Sequence, residues 1–167
     1  MNSLRTGMVA VICLAFGSAV WADEEKIPLD KLPAKVKEAI KAKFPDAELV
    51  SAEKDTEKGK VSYEVIIKNK GKELEVILTE DGKITALERV IDAKDLPKAV
   101  AEAFEKKYPK ATIKKVEEVT KGEKVSYELE ITVGDKKLEV TFDSEGKFLE
   151  EEDASKEKNE EKNEEKK

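Results

Sequence analysis

The sequence predicts an α+β fold, a tandem duplication of a helix plus an antiparallel four-stranded meander with the helix on one sheet face. Three observations predict it. The chain resembles itself at a spacing of 64 residues, each copy opens on an amphipathic stretch bounded by prolines, and each continues as alternating segments parted by glycines.

Taken in order, the first 22 residues read as an export signal. Met1 to Gly7 carries one positive charge, Arg5; residues 8–21 are almost wholly apolar; Val20 and Ala22 are small residues at the −3/−1 spacing; and Asp23-Glu24-Glu25-Lys26 switches abruptly to charge. A membrane-spanning helix needs roughly 20 apolar residues, more than this run supplies. Cleavage is expected after Ala22, leaving no stable membrane anchor. Cys13 lacks the small residue before it and the upstream length that a lipoprotein site requires. The mature chain then has neither cysteine nor tryptophan, and losing Arg5 moves its net charge from −6 to −7. With no disulfide available, its core must suffice alone.

The duplication is carried by matched residues in register. Leu32-Pro33 corresponds to Leu96-Pro97, Phe44-Pro45 to Tyr108-Pro109, Val61-Ser62-Tyr63-Glu64 to Val125-Ser126-Tyr127-Glu128, and Leu74-Glu75-Val76 to Leu138-Glu139-Val140. About 22 of 55 positions agree between 32–86 and 96–150 without a gap. In the first copy Leu32, Val36, Ala39, Ile40 and Phe44 share a helix face; Leu96, Val100, Ala103, Phe104 and Tyr108 do so in the second. Pro33 and Pro97 suit a first helical position, and Pro45 and Pro109 end each helix.

Strands follow with a period of two: Val61 to Ile67, Leu74 to Leu78, Val125 to Ile131 and Leu138 to Phe142. Weaker strands are expected at 49–54 and 113–119, at 84–89, and near Phe148. Gly134-Asp135 suits a two-residue hairpin, while Glu80-Asp81-Gly82 and Ser144-Glu145-Gly146 suit type I turns closed by a glycine bulge. The expected division is 1–22 signal, 27–91 first repeat, 92–150 second repeat and 151–167 a charged tail with nothing to bury. A unit of about 60 residues is marginal alone, so the copies are expected to stabilise one another.

Composition narrows function. There is no histidine, which excludes His-based acid/base and triad chemistry and the common zinc sites. A net charge of −6 argues against nucleic acid as a partner. No motif calls for a cofactor, so none is expected.

Each unit resembles the PepSY-like domain, a family also described as β-lactamase-inhibitor-like. The likeness rests on Leu-Pro followed three residues later by valine, on the Phe/Tyr-Pro-x-Ala helix exit, on the Tyr-x-Val/Leu-x-Ile strand, and on the run Phe142 to Phe148. The resemblance implies exported, non-enzymatic domains of a helix and a four-stranded sheet that bind or inhibit other proteins. The first copy departs from it at Leu78 to Ile84, which lacks the aromatic turn. The inhibitor that lends the family its name uses disulfides, so inhibition of a β-lactamase is not implied here.

Candidate binding residues lie on the polar sheet face. Pairing Ile67 with Leu74 sets Ile66 opposite Glu75 and Ile77 opposite Glu64, so Ile66 and Ile77 meet diagonally. They are either an apolar partner site or a pair covered by the second copy or its linker. Glu64, Glu75, Glu128, Glu130 and Glu139 make the same face acidic, without the oxygen density of a calcium loop. Tyr63 and Tyr127 point inward as core residues. The expected function is an exported, non-catalytic protein-binding module, inhibitor-like or a scaffold of the cell envelope, with an extracytoplasmic protein or peptide as partner. The alternative is a small-ligand or divalent-cation-responsive sensor using the acidic face. With no mature tryptophan and Arg89 as the sole mature arginine, binding is expected to be weak or along a strand edge.

Overall fold

The computed structural model describes residues 23–57 and 59–153. The expected signal and the tail beyond Asp153 lie outside the described residues. Among the described residues, nine strands form one antiparallel sheet in strictly sequential order: β1 (Asp23–Lys26), β2 (Glu48–Glu57), β3 (Lys60–Asn69), β4 (Lys72–Thr79), β5 (Ile84–Val90), β6 (Thr112–Lys121), β7 (Lys124–Val133), β8 (Lys136–Asp143) and β9 (Phe148–Asp153). Helices α1 (Ala34–Lys43) and α2 (Lys98–Lys107) precede β2 and β6. The duplicated helix-plus-meander is therefore present, and its two copies share one sheet.

Both helices pack on the same kind of sheet face. Leu32, Val36 and Ile40 meet Tyr63, Val65, Ile67, Val76 and Leu78 in one core; Leu96, Val100 and Phe104 meet Tyr127, Leu129, Ile131, Val140 and Phe142 in the other. The prolines sit one residue earlier than expected. Pro33 and Pro97 occupy the N-cap with extended ψ values of 143° and 141°, and the helix begins after them. Their rigid φ still orients the entry, and a short 3-10 turn precedes each.

The turns follow their residues. Val133 pairs with Lys136 around Gly134-Asp135, and Asn69 pairs with Lys72 around Lys70-Gly71. Lys70 and Gly71 both adopt positive φ, 52° and 81°, as a type I′ turn demands. The β4–β5 and β8–β9 hairpins close through Gly82 N–H donating to the Thr79 carbonyl at 2.9 Å and Gly146 N–H to the Asp143 carbonyl at 3.0 Å.

Two elements go beyond the sequence reading. Strand β9 runs to Asp153, past the point where a tail was expected. Strand β1 was not expected at all, because its four residues are all charged. Its pairing explains it: Asp23, Glu24, Glu25 and Lys26 face Thr56, Asp55, Lys54 and Glu53, while Leu87, Glu88, Arg89 and Val90 face Thr120, Val119, Glu118 and Glu117. Every position differs by 64. Strand β5 thus closes the first repeat against β4 and opens the second against β6.

That double role makes the seam testable. The two cores are separate clusters, so β5 joins the repeats through its backbone pairing with β6 and the side chains flanking it. On the helix side Arg89 reaches Glu118 at 2.7 Å, and Tyr127 donates to the same carboxylate at 3.3 Å. A fragment of residues 92–153 would leave β6 as an unpaired edge and is expected to lose cooperative thermal unfolding. A fragment of 84–153, which retains β5, should regain it. Circular dichroism melts of the two compare them directly; equal, cooperative melting would show that the seam strand is dispensable.

Candidate functional site

The face opposite the helices is built by the alternate residues of every strand. Register places Glu53 beside Glu64, Glu64 beside Ile77 and Ile77 beside Ala86. A second row runs Ile66, Glu75, Glu88, Val119 and Ser126 across β3 to β7. Glu117 pairs with Glu128, Glu128 with Thr141, and Glu130 with Glu139. All seven candidate residues therefore share one face, with Ile66 and Ile77 at the expected diagonal. Their exposure differs. Glu75 and Ile77 are buried at 8% and 4%, Ile66, Glu64, Glu128 and Glu139 are half-buried, and Glu130 is exposed.

The sequence reading missed the centre of this face. Glu88 on β5 is only 2% exposed, and neither of its carboxyl oxygens has a hydrogen-bond partner. Glu117 on β6 is buried and held by Lys115 at 2.8 Å. Val119 stands directly opposite Glu88, and Ile77 and Ala86 occupy the next row of the same face, all three buried. The equivalence of β5 to β1, 64 residues earlier, moves β5 from an edge to the middle of the sheet, but it shows in the register and not in the sequence, where only Glu24 and Glu88 agree between the two runs.

Charge crowding follows from this geometry. Burial, then the Glu117 carboxylate, pushes Glu75 up to about 7, against a hydrogen bond with Glu64 and the Lys115 charge. Burial, then the Glu128 and Glu75 carboxylates, pushes Glu88 up to about 8, against Lys121. Glu128 is raised by burial while Lys121 opposes the shift. Both carboxyls at the Glu75–Glu88 pair therefore keep much of their proton near neutrality.

The second repeat adds an open trough of about 570 Å³ on the same face, lined among others by Lys121, Lys124, Ser126, Glu128, Glu139 and Leu149. Leu149 reaches it because the register skips it between Glu150 and Phe148; Val50 is skipped likewise between Leu49 and Ser51. Among the described residues, these bulged positions account for two of the three exposed large apolar side chains. Among the described residues, no group of three or more Asp, Glu, Cys or His is placed to hold a metal ion, and no helix is long and apolar enough to cross a membrane.

Among the described residues, two helix-plus-meander units share one sheet and leave its polar face free of helices, which defines the class: a duplicated α+β domain. The chain belongs to the PepSY-like family, described as "putative beta-lactamase-inhibitor-like, PepSY-like", which it matches over residues 16–86 and 63–150. Solved structures share the fold. A BLIP-like protein from Bacteroides fragilis is similar at 23% identity and TM-score 0.61, covering 73% of this chain and 86% of its own. A protein from Bacteroides eggerthii described as putative periplasmic is similar at 19% identity and TM-score 0.63, covering 72% of this chain and 88% of its own. A protein from Bacteroides ovatus, of a domain family named only by number, is similar at 17% identity and TM-score 0.65, covering 75% and 90%. Comparison with curated proteins gave no match.

Proposed function

We propose that this chain is an exported, non-catalytic protein-binding module of the cell envelope, inhibitor-like or a scaffold, that meets its partner with the helix-free face of the sheet. The observation that carries the reading is the make-up of that face. Carboxylates drawn from both repeats, Glu64, Glu75, Glu128 and Glu139 among them, crowd the sheet face that no described helix covers, above the buried Ile77, Ala86 and Val119, so that face offers a partner a strongly acidic surface. The family's inhibitor-like description and the periplasmic description of the B. eggerthii protein support it. So does the expected signal at residues 1–22, which would deliver the mature chain, residues 27–91 and 92–150 as its two repeats, to the periplasm or beyond.

The partner is an extracytoplasmic protein or peptide. Immobilised mature protein should retain a defined protein from envelope extract of its own host, and charge reversal at the rim by Glu130→Lys with Glu150→Lys should weaken retention at least tenfold without changing the melting temperature. Retention that is absent, or indifferent to both reversals, would remove the sheet face from the reading.

A further inference from the structure

The buried carboxyl in the middle of the open face allows a narrower statement, which rests on the protein-binding reading above. Four strands bring glutamates together there: Glu75 from β4 directly opposite Glu88 of β5, Glu117 from β6, and Glu128 from β7. Two cations face them, both from β6. Lys115 is engaged by Glu117 at 2.8 Å, and Lys121 lies at the exposed rim of the trough. Glu88 itself is left 2% exposed with both oxygens unpartnered. A buried carboxylate in that state is costly and is stabilised by any cation that reaches it.

The geometry selects the kind of cation. A calcium ion needs six to eight oxygens at about 2.3–2.6 Å, whereas no metal-holding group of carboxylates occurs among the described residues. Glutamates on neighbouring strands start about 4.8 Å apart. A guanidinium spans such a spacing, since its five N–H donors lie in a planar fork, and its weak hydration tolerates the apolar Ile77, Ala86 and Val119 beside it. The trough lies beside the site: Ser126 and Glu128 line it, and the buried Val119 separates Ser126 from Glu88 along one cross-sheet row. We propose that the open face holds a receptor site for a guanidinium, carried by an arginine side chain of the bound protein, which hydrogen-bonds Glu88 between Glu75 and Glu128.

Such binding is proton-linked. Glu75, Glu117 and Glu128 favour the protonated form of Glu88, and Lys121 favours the ionised form. The guanidinium must displace the proton, so affinity rises with pH.

The test titrates the full mature chain with the acetylated, amidated peptide Gly-Gly-Arg-Gly-Gly and with its neutral citrulline counterpart, followed by amide NMR at pH 6 and pH 8.5. The arginine peptide should give saturable shifts around Glu88, Val119 and Ser126, at least tenfold stronger at pH 8.5, and the citrulline peptide none. Glu88→Gln should abolish them, Glu75→Gln should weaken them, and Glu105→Gln, on the exposed side of α2, should leave them unchanged, all at wild-type fold. Equal shifts from citrulline, undiminished binding in Glu88→Gln, or saturation of the same amides by calcium chloride at lower concentration would overturn the site. If the arginine peptide fails while envelope capture still succeeds, the guanidinium site falls and the protein-binding reading stands.

Discussion

Gly146→Ala is expected to destabilise the protein by about 3 kcal/mol or more, combining left-handed backbone strain with a steric clash. Gly146 holds φ at +81°, and a Cβ there would stand 2.4 Å from the Ala99 carbonyl oxygen and 2.8 Å from its carbon. Those are backbone atoms in the first turn of α2, so the clash cannot be relieved by a rotamer change. Either the β8–β9 turn or the helix must move, and α2 is what covers the second core. Gly82 repeats the arrangement 64 residues earlier, its φ +84° and the Lys35 carbonyl oxygen at 2.6 Å from a would-be Cβ. Gly134 is the natural control, because its φ is +60° but nothing lies within 4 Å of its would-be Cβ. Gly134→Ala should therefore cost only the conformational part, about 1 kcal/mol. For a domain of this size 1 kcal/mol moves the melting temperature by roughly 4 °C, so the two variants should differ by about 8 °C. Equal melting temperatures would mean that the turn does not set the seat of the helix.

Much of this fold is legible in the sequence because local rules agree with the tertiary result. The stripes Leu32, Val36, Ile40 and Leu96, Val100, Phe104 become the buried helix faces they predict. The Ile67–Leu74 register is readable because a two-residue turn leaves no freedom to slip. That register also places Glu64, Glu75, Ile66 and Ile77 correctly on one face. What stays hidden depends on β5 pairing with β6. No hairpin connects them; the whole of α2 intervenes, and the contact is fixed by the repeat rather than by any turn. Glu88 and Glu117 consequently read as ordinary solvated charges in an alternating strand. They become buried only when the second repeat is laid against the first. Strand β1 is hidden for a related reason: Asp23-Glu24-Glu25-Lys26 has no apolar alternation, and only its equivalence to Leu87 to Val90 assigns it to the sheet.

The same seam is expected to make stability fall as the solution turns alkaline, opposite in sign to ordinary acid denaturation. Glu75 and Glu88 are raised from 4.5 to about 7 and about 8, by burial first and by neighbouring carboxylates second. Between 4.5 and those values the folded chain holds protons that the unfolded chain has released. Stability is therefore greatest near the unfolded value and declines as pH rises through about 7 and then 8. Each group contributes up to about 1.4 kcal/mol per pH unit over its window. The two are coupled, so a combined loss on the order of 3 kcal/mol between pH 5 and pH 8.5 is the reasonable scale. Ordinary paired carboxylates act in the other direction, because pairing lowers their folded pKa. Here the cluster outnumbers its lysines, and the raised groups dominate. Thermal melts should show a melting temperature falling by roughly 10 °C from pH 5 to pH 8.5. Glu88→Gln keeps the shape and removes the titration, so it should match wild type near pH 5, exceed it at pH 8.5, and flatten the profile between. A wild-type melting temperature that stays level or rises over this range would show that Glu88 is paired or hydrated in solution, and the crowding at the seam would then have no thermodynamic consequence.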